Sequence, residues 1–176
     1  MLVRTVRDED WEACLEVDAT YETNTTWQME EHISSGEWRV TFREIRLPRT
    51  LRIRPTTPPE DLLSDWQRRD QFWVAVEQRQ VIGYLGLDID QDRHQARVTE
   101  LVVTPEHRRK GVASELLEHA QVWCLRHRIH QLVLVCSLKA QPGLAFALNH
   151  GFSFCGFQDG YWPGQEMALL LRQRLR

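Results

Sequence analysis

No apolar run in the 176 residues approaches the roughly 20 needed to cross a membrane as a helix. Met1-Leu2-Val3-Arg4 leads straight into charged residues and lacks the apolar stretch of a secretory signal. Cysteine is sparse. Cys14, Cys124, Cys136 and Cys155 are widely spaced, form no Cys-x-x-Cys pair, and have apolar or helical neighbours. This predicts buried thiols in a reducing compartment rather than a disulfide framework. None of the seven histidines joins them at zinc-ligand spacing, so no metal is expected. The net charge is −3, which lacks the broad basic field that nucleic acid requires. No internal repeat or low-complexity tract interrupts the chain. These absences predict a cytoplasmic protein with no nucleic-acid or membrane partner, and they leave a homodimer open.

What is present is ordinary globular material. Hydrophobic residues make up 42% and charged residues 27% of the chain, and its length suits one domain. Residues 2–7 alternate apolar and polar and predict a strand; Asp8, Glu9 and Asp10 then open a helix through Trp11, Cys14 and Leu15. A polar stretch follows, for which a short helix is expected over residues 28–34, then a strand over 38–47. Pro48, Pro55, Pro58 and Pro59 predict a loop. Another short helix carries Trp66.

From Phe72 the pattern sharpens. Strands are expected over 72–76 and 81–87 as a hairpin, and over 97–104, where Pro105 ends the run. Val112, Leu116, Ala120 and Trp123 mark a long amphipathic helix. Residues 132–136 form a continuous apolar strand, as expected within a sheet. A second helix covers 144–150, with Gly151 as its cap, and two strands follow over 152–157 and 166–171. This order is a mixed α/β pattern.

The chemistry gathers in residues 98–114. A strand ends, a turn follows, and a helix starts at Gly111. The first amides of a helix lack intrahelical partners and carry partial positive charge, which suits a phosphate or pyrophosphate. Gly111 has no side chain to block an approaching ligand, and Ala113 keeps the next turn small. Arg108, Arg109 and Lys110 place three cations at the positive end of that helix, each at a cost of about 0.3–1 kcal/mol unless an anion binds. An exposed basic turn is the plainer alternative. Glu100 is a candidate general base, because a carboxylate is an odd choice among Val98, Leu101, Val102 and Val103. Alternation puts it on the face of Val98 and Val102 unless a bulge intervenes; a salt-bridged carboxylate is the alternative.

Arg108-x-x-Gly111-x-Ala113, after a strand and Pro105, resembles the acyl-CoA-binding signature of the GNAT superfamily of N-acetyltransferases. Residues 146–152, ending Asn149-His150-Gly151-Phe152, resemble that family's second acyl-CoA segment. The resemblance implies a single domain with a mixed, mostly antiparallel central sheet flanked by helices. Within residues 1–176, the acyl-CoA-binding core would span 72–171 and the acceptor side 1–71.

The resemblance also implies acetyl-CoA as co-substrate and a small-molecule amine as acceptor. The thioester and pantetheine arm would lie along Leu101, Val102 and Val103. The pyrophosphate would lie at Arg108, Arg109, Lys110, Gly111, Val112, Ala113 and Ser114. Asp159-Gly160-Tyr161-Trp162, with residues 21–29, looks like the streptothricin acetyltransferase branch.

Three positions depart from that branch: Val135 and Ala140 replace acidic or amide residues, and Ala147 replaces the tyrosine that protonates the leaving thiolate. Tyr161 is the substitute acid this reading offers, with a packing tyrosine as the alternative. If the helix has room, Ala147→Tyr should raise the rate. Glu22, Glu30, Glu31 and Glu37 would attract a cationic acceptor, or else form a solvated helix face. A non-catalytic acyl-CoA-binding or sensing module is the second reading.

Overall fold

The computed structural model describes residues 1–54, 59–162 and 166–176. Among the described residues, nine strands and four α-helices follow in the order β1 (Leu2–Thr5), α1 (Trp11–Glu16), β2 (Tyr21–Ser34), β3 (Glu37–Ile53), α2 (Pro59–Trp66), β4 (Gln71–Glu77), β5 (Gln80–Asp90), β6 (Gln95–Val103), α3 (Val112–Arg126), β7 (Gln131–Ser137), α4 (Gln141–Asn149), β8 (Ser153–Trp162) and β9 (Glu166–Arg174). Seven strands form one sheet in the order β1-β4-β5-β6-β7-β9-β8, and β2 and β3 form a second. β1, β4, β5 and β6 pair antiparallel, and β6 pairs parallel with β7. The sheet is therefore mixed, with helices flanking it, as the family resemblance implied.

Two compact units share the chain. The first holds Met1–Thr20, Arg54–Val135 and Arg172–Arg176. One face of its strands carries Phe72, Val74 and Tyr84, which pack with Cys14, Val17 and Trp66 from the α1 and α2 segments. The Phe72 and Tyr84 rings stack at 5.5 Å, and Trp66 lies 4.9 Å from Tyr84. Trp73 points to the opposite face, where its ring meets His119 and Trp123 of α3 at 5.5 and 5.8 Å. Leu116, Leu117, Ala120 and Cys124 give α3 its buried stripe. The helix stops in a Schellman turn: Ile129 N–H donates to Cys124 O, Arg128 N–H donates to Leu125 O, and Arg128 takes the left-handed conformation.

The second unit holds Tyr21–Ile53 and Cys136–Leu171. The helix expected over 28–34 is instead part of β2. Its odd positions, Tyr21, Thr23, Thr25, Trp27, Met29 and Ile33, alternate with polar even positions, and Gly36 at φ +78° supports the turn into β3. Phe42 of β3 packs between Phe154 and Phe157 of β8, 5.5 Å from each. Trp27 Nε1 donates to Gln141 Oε1 at 3.3 Å, and Trp27 N–H donates to Leu138 O at 3.0 Å.

β3 is longer than the expected 38–47 and contains Pro48, which had predicted a loop. The register jumps there, from Thr25↔Arg46 to Thr23↔Leu51, so the proline sits where no ladder bond is required of it. Pro55 and Pro58 lie outside the described residues, and Pro59 begins α2. α4 ends as expected: Gly151 is at φ +78°, and Phe152 N–H donates to Ala147 O at 3.0 Å.

The thiol reading needs one correction. Cys14, Cys124 and Cys136 are buried, but Cys155 is exposed on β8. Burial pushes each of the three buried thiols up to about 12.

Candidate active site

The site begins where β6 leaves β7. Their parallel register runs from Gln95↔Gln131 to Val98↔Leu134 and then stops, although β6 continues to Val103. Residues 100–103 stay paired to β5 alone. An extended ligand with amide groups can add to such an edge as a strand would.

The same point carries a bulge. Val98 pairs with Leu87 and Glu100 with Gly86, which leaves Thr99 as the extra residue. Leu87 and Gly86 are consecutive and face opposite ways, so Val98 and Glu100 do too. The expected sharing of a face by Glu100 and Val98 is thus corrected, while Val102 remains with Glu100. That face is the one of Phe72 and Tyr84. Val102 packs against their cluster, whereas Leu101 points to the α3 side. Val103 is buried opposite Gly83, where a side chain would strike Val102 O at 2.7 Å.

Glu100 is 15% exposed, and its carboxylate is held. Arg69 Nη2 donates to Oε1 at 2.8 Å and Arg69 Nε to Oε2 at 3.3 Å. Thr99 Oγ1 donates to Oε2. Arg69 Nη1 also donates to Asp88 Oδ2 at 3.1 Å. Gly86 makes room for this group, because a Cβ there would collide with Glu100 Oε2.

After β6, residues 105–107 make a short turn, and the chain then takes left-handed conformations at Arg109 (φ +62°) and Gly111 (φ +88°). Such turns gather successive N–H groups into an anion-binding concavity. Gly111 caps α3, whose first bond is Glu115 N–H to Gly111 O at 3.0 Å, so the amides of Val112 and Ala113 lie in the first turn, ahead of the intrahelical ladder. A Cβ at Gly111 would meet nothing within 4 Å, so the space beside it is open. Arg109 and Lys110 are exposed; Val112 is buried, and Ala113 and Ser114 are half-buried.

Arg108 does something different from its two neighbours. Its guanidinium donates to three backbone carbonyls: Val103 at 2.9 Å, Thr20 at 2.7 Å and Asp18 at 2.8 Å. Its side chain therefore ties the end of β6 to the segment after α1, and Arg109 and Lys110 are left as the exposed cations of the turn.

A family model for the GNAT acetyltransferases matches residues 39–152, well over half the chain. The chain belongs to the GNAT acetyltransferase family. No curated protein matches it by sequence. Solved structures resemble it in fold. A nourseothricin acetyltransferase superposes with a TM-score of 0.84 at 20% identity, over 99% of this chain and 98% of that one. A protein from Bacillus anthracis str. Ames, described as a streptothricin acetyltransferase and bound to acetyl coenzyme A, gives 0.78 at 17%, over 99% and 97%. The ribosomal-protein-S18-alanine N-acetyltransferase of Escherichia coli gives 0.68 at 14%, over 99% and 93%.

Val135 ends the Arg54–Val135 stretch of the first unit, whereas Ala140, Ala147, Tyr161 and the four acidic candidates belong to the second. Ala147, where the family's tyrosine was sought, is fully buried in α4. Tyr161 is half-buried near the end of β8, with its ring 4.8 Å from that of Trp162. Glu22, Glu30, Glu31 and Glu37 lie on β2 and β3, not on a helix; Glu30 pairs with Arg43 at 3.5 Å and Glu37 with Arg39.

Sequence reasoning missed Arg69, Asp88 and Gly86. An arginine three residues past Trp66 carries no local pattern; it reaches Glu100 only through the tertiary fold, from the bend between α2 and β4. Among the described residues, no group of three or more His, Cys, Asp or Glu is arranged to hold a metal, and no helix is long and apolar enough to cross a membrane.

Proposed function

We propose that this GNAT protein moves the acetyl group of acetyl-CoA to a primary amine of a small molecule. The observation that carries the reading is the pairing of an open β6 edge with the left-handed turn into α3. The edge at Leu101, Val102 and Val103 suits the amide-bearing pantetheine arm. The amides from Arg109 to Ser114, with the Arg109 and Lys110 side chains, suit the pyrophosphate. Arg108 keeps that turn in place.

Glu100 takes the ammonium proton, directly or through one water, so that the amine can attack the thioester. Tyr161 is the candidate for protonating the departing thiolate. A CoA thiol resembles cysteine, with a pKa of about 8.5, so much of the leaving charge is tolerable in water near neutral pH. An acid at that step is helpful rather than obligatory. The small-molecule acceptor rests on the likeness of fold to nourseothricin and streptothricin acetyltransferases.

The second reading, an acyl-CoA-binding module without turnover, is favoured by Ala147. One screen separates the two: purified protein with acetyl-CoA and a panel of polyamines, aminoglycosides, streptothricin and peptides, with CoA thiol release as the readout. Release with a small amine supports the transferase. Release with peptides alone moves the acceptor to proteins, and binding without release leaves the module.

A further inference from the structure

A general base must be held in place and must keep a lone pair directed at the substrate. A carboxylate has about four acceptor sites over its two oxygens. Among the described residues, Glu100 Oε2 accepts from both Arg69 Nε and Thr99 Oγ1, while Oε1 accepts from Arg69 Nη2 alone. Oε1 is therefore the oxygen with acceptor capacity to spare.

The fork from Arg69 fixes the carboxylate plane, which a lysine cannot do. Arg69 is itself fixed by Asp88, and the three groups together carry one net negative charge. The pair thus stays attractive to an ammonium group instead of being neutralised. The Gly86 gap and the Thr99 bulge complete the seat from below.

We propose that Arg69 is the positioning residue for Glu100 and that Oε1 receives the acceptor's proton. The inference rests on the acetyltransferase reading. The ammonium gives its proton to Oε1 and becomes a neutral amine. The C–N bond then forms as the C–S bond breaks, the thiolate leaves with the electron pair, and the acylated nitrogen gives up its second proton, which ends on the thiolate. Glu100 returns its proton to solvent.

Arg69 would act only through Glu100, so the test is a double-mutant cycle. The parent, Arg69→Met, Glu100→Gln and the double variant are compared for kcat by thiol release, using the panel amine the parent turns over fastest. Acetyl-CoA affinity and melting temperature are measured beside the rate. Arg69→Met should lower kcat on the order of 10²-fold, the effect of a misplaced catalytic group. Acetyl-CoA affinity should hold. In the Glu100→Gln background the same change should cost almost nothing more. Equal losses in both backgrounds, or an unchanged kcat in a folded Arg69→Met protein, would overturn the inference while leaving the transferase intact. Arg69→Lys keeps the charge and loses the fork. If Arg69→Met does not fold, Arg69→Lys takes its place in the cycle and must show the same dependence on Glu100. A parent that binds acetyl-CoA but releases no thiol with any amine overturns both.

Discussion

Asp10 shows how one carboxylate can stiffen an entry turn. It accepts from Arg4 at 2.6 and 2.9 Å and from the Arg7 amide at 2.7 Å, with 8% of its side chain exposed. The Arg4 hydrogen bond, against the pull of burial and with help from the Arg7 amide, holds its pKa below the usual carboxylate value. A lowered folded pKa means stability that is complete above the unfolded value of about 3.9 and is lost as pH falls through the folded one. Asp10→Asn should therefore cost about 1.5–3 kcal/mol at pH 7, as lost charged hydrogen bonds do. Denaturant melts of both proteins should converge in acid below the ordinary carboxylate range; a gap that persists there would assign the loss to packing. Ala147 is the second residue-scale case. It is fully buried, and its carbonyl accepts from His150 and Phe152 at 3.1 and 3.0 Å. The expectation that a tyrosine there would help depended on room, and the helix has none to give. Ala147→Tyr should lose about 1–3 kcal/mol by overpacking and gain no rate. A stable variant with faster thiol release would refute this. Glu100 was legible as a carboxylate out of place among apolar neighbours. Its partners were not, because Arg69 is reached through tertiary structure and not through spacing.

At the scale of elements, the turn before α3 was the most readable part of the chain. Strand end, Pro105, three cations and a glycine fall in one short stretch, and each has a local physical meaning. The left-handed backbone at Arg109 and Gly111 adds a reason for the glycine that residue type alone suggested only as lack of bulk. Gly111→Asp should bring about 1–2 kcal/mol of backbone strain and set a carboxylate beside the pyrophosphate position. Calorimetry should find acetyl-CoA affinity lost while circular dichroism reports a folded chain. Near-native affinity would move the cofactor elsewhere. The β2–β3 hairpin was misread for a different reason. Its even positions in β2, from Glu22 to Ser34, are all polar, and the adjacent Glu30 and Glu31 mask the alternation of Trp27, Met29 and Ile33. A two-residue period with one solvated face was there to be counted. Pro48 also suggested a break, whereas the irregular register accommodates it within β3.

The molecule as a whole separates the two jobs of the basic turn, and this gives a prediction that no single element could. Arg108 reaches back to carbonyls 88 and 90 residues earlier in the chain, at Thr20 and Asp18, so a motif residue is also a long-range tie. Arg109 and Lys110, one and two positions on, face solvent, and among the described residues neither has an ion-pair partner. Substitutions should therefore fall into two classes. Arg108→Met should lower stability without ligand by about 1.5–3 kcal/mol, since it removes three charged hydrogen bonds, two of them part-buried, which for a chain of this size is roughly 3–12 °C in Tm. Arg109→Met with Lys110→Met should leave the ligand-free Tm nearly unchanged. Acetyl-CoA at 100 times its Kd stabilises a native state by about 2.7 kcal/mol, or roughly 5–10 °C here. At that same concentration the Arg109→Met/Lys110→Met protein should show a much smaller rise, because its Kd has weakened. The Arg108→Met protein, starting lower, should still climb. Thermal melts of the three proteins with and without acetyl-CoA decide the matter. If Arg108→Met loses the ligand-induced rise and keeps the ligand-free Tm, the guanidinium belongs to the pyrophosphate and not to the carbonyls of Val103, Thr20 and Asp18.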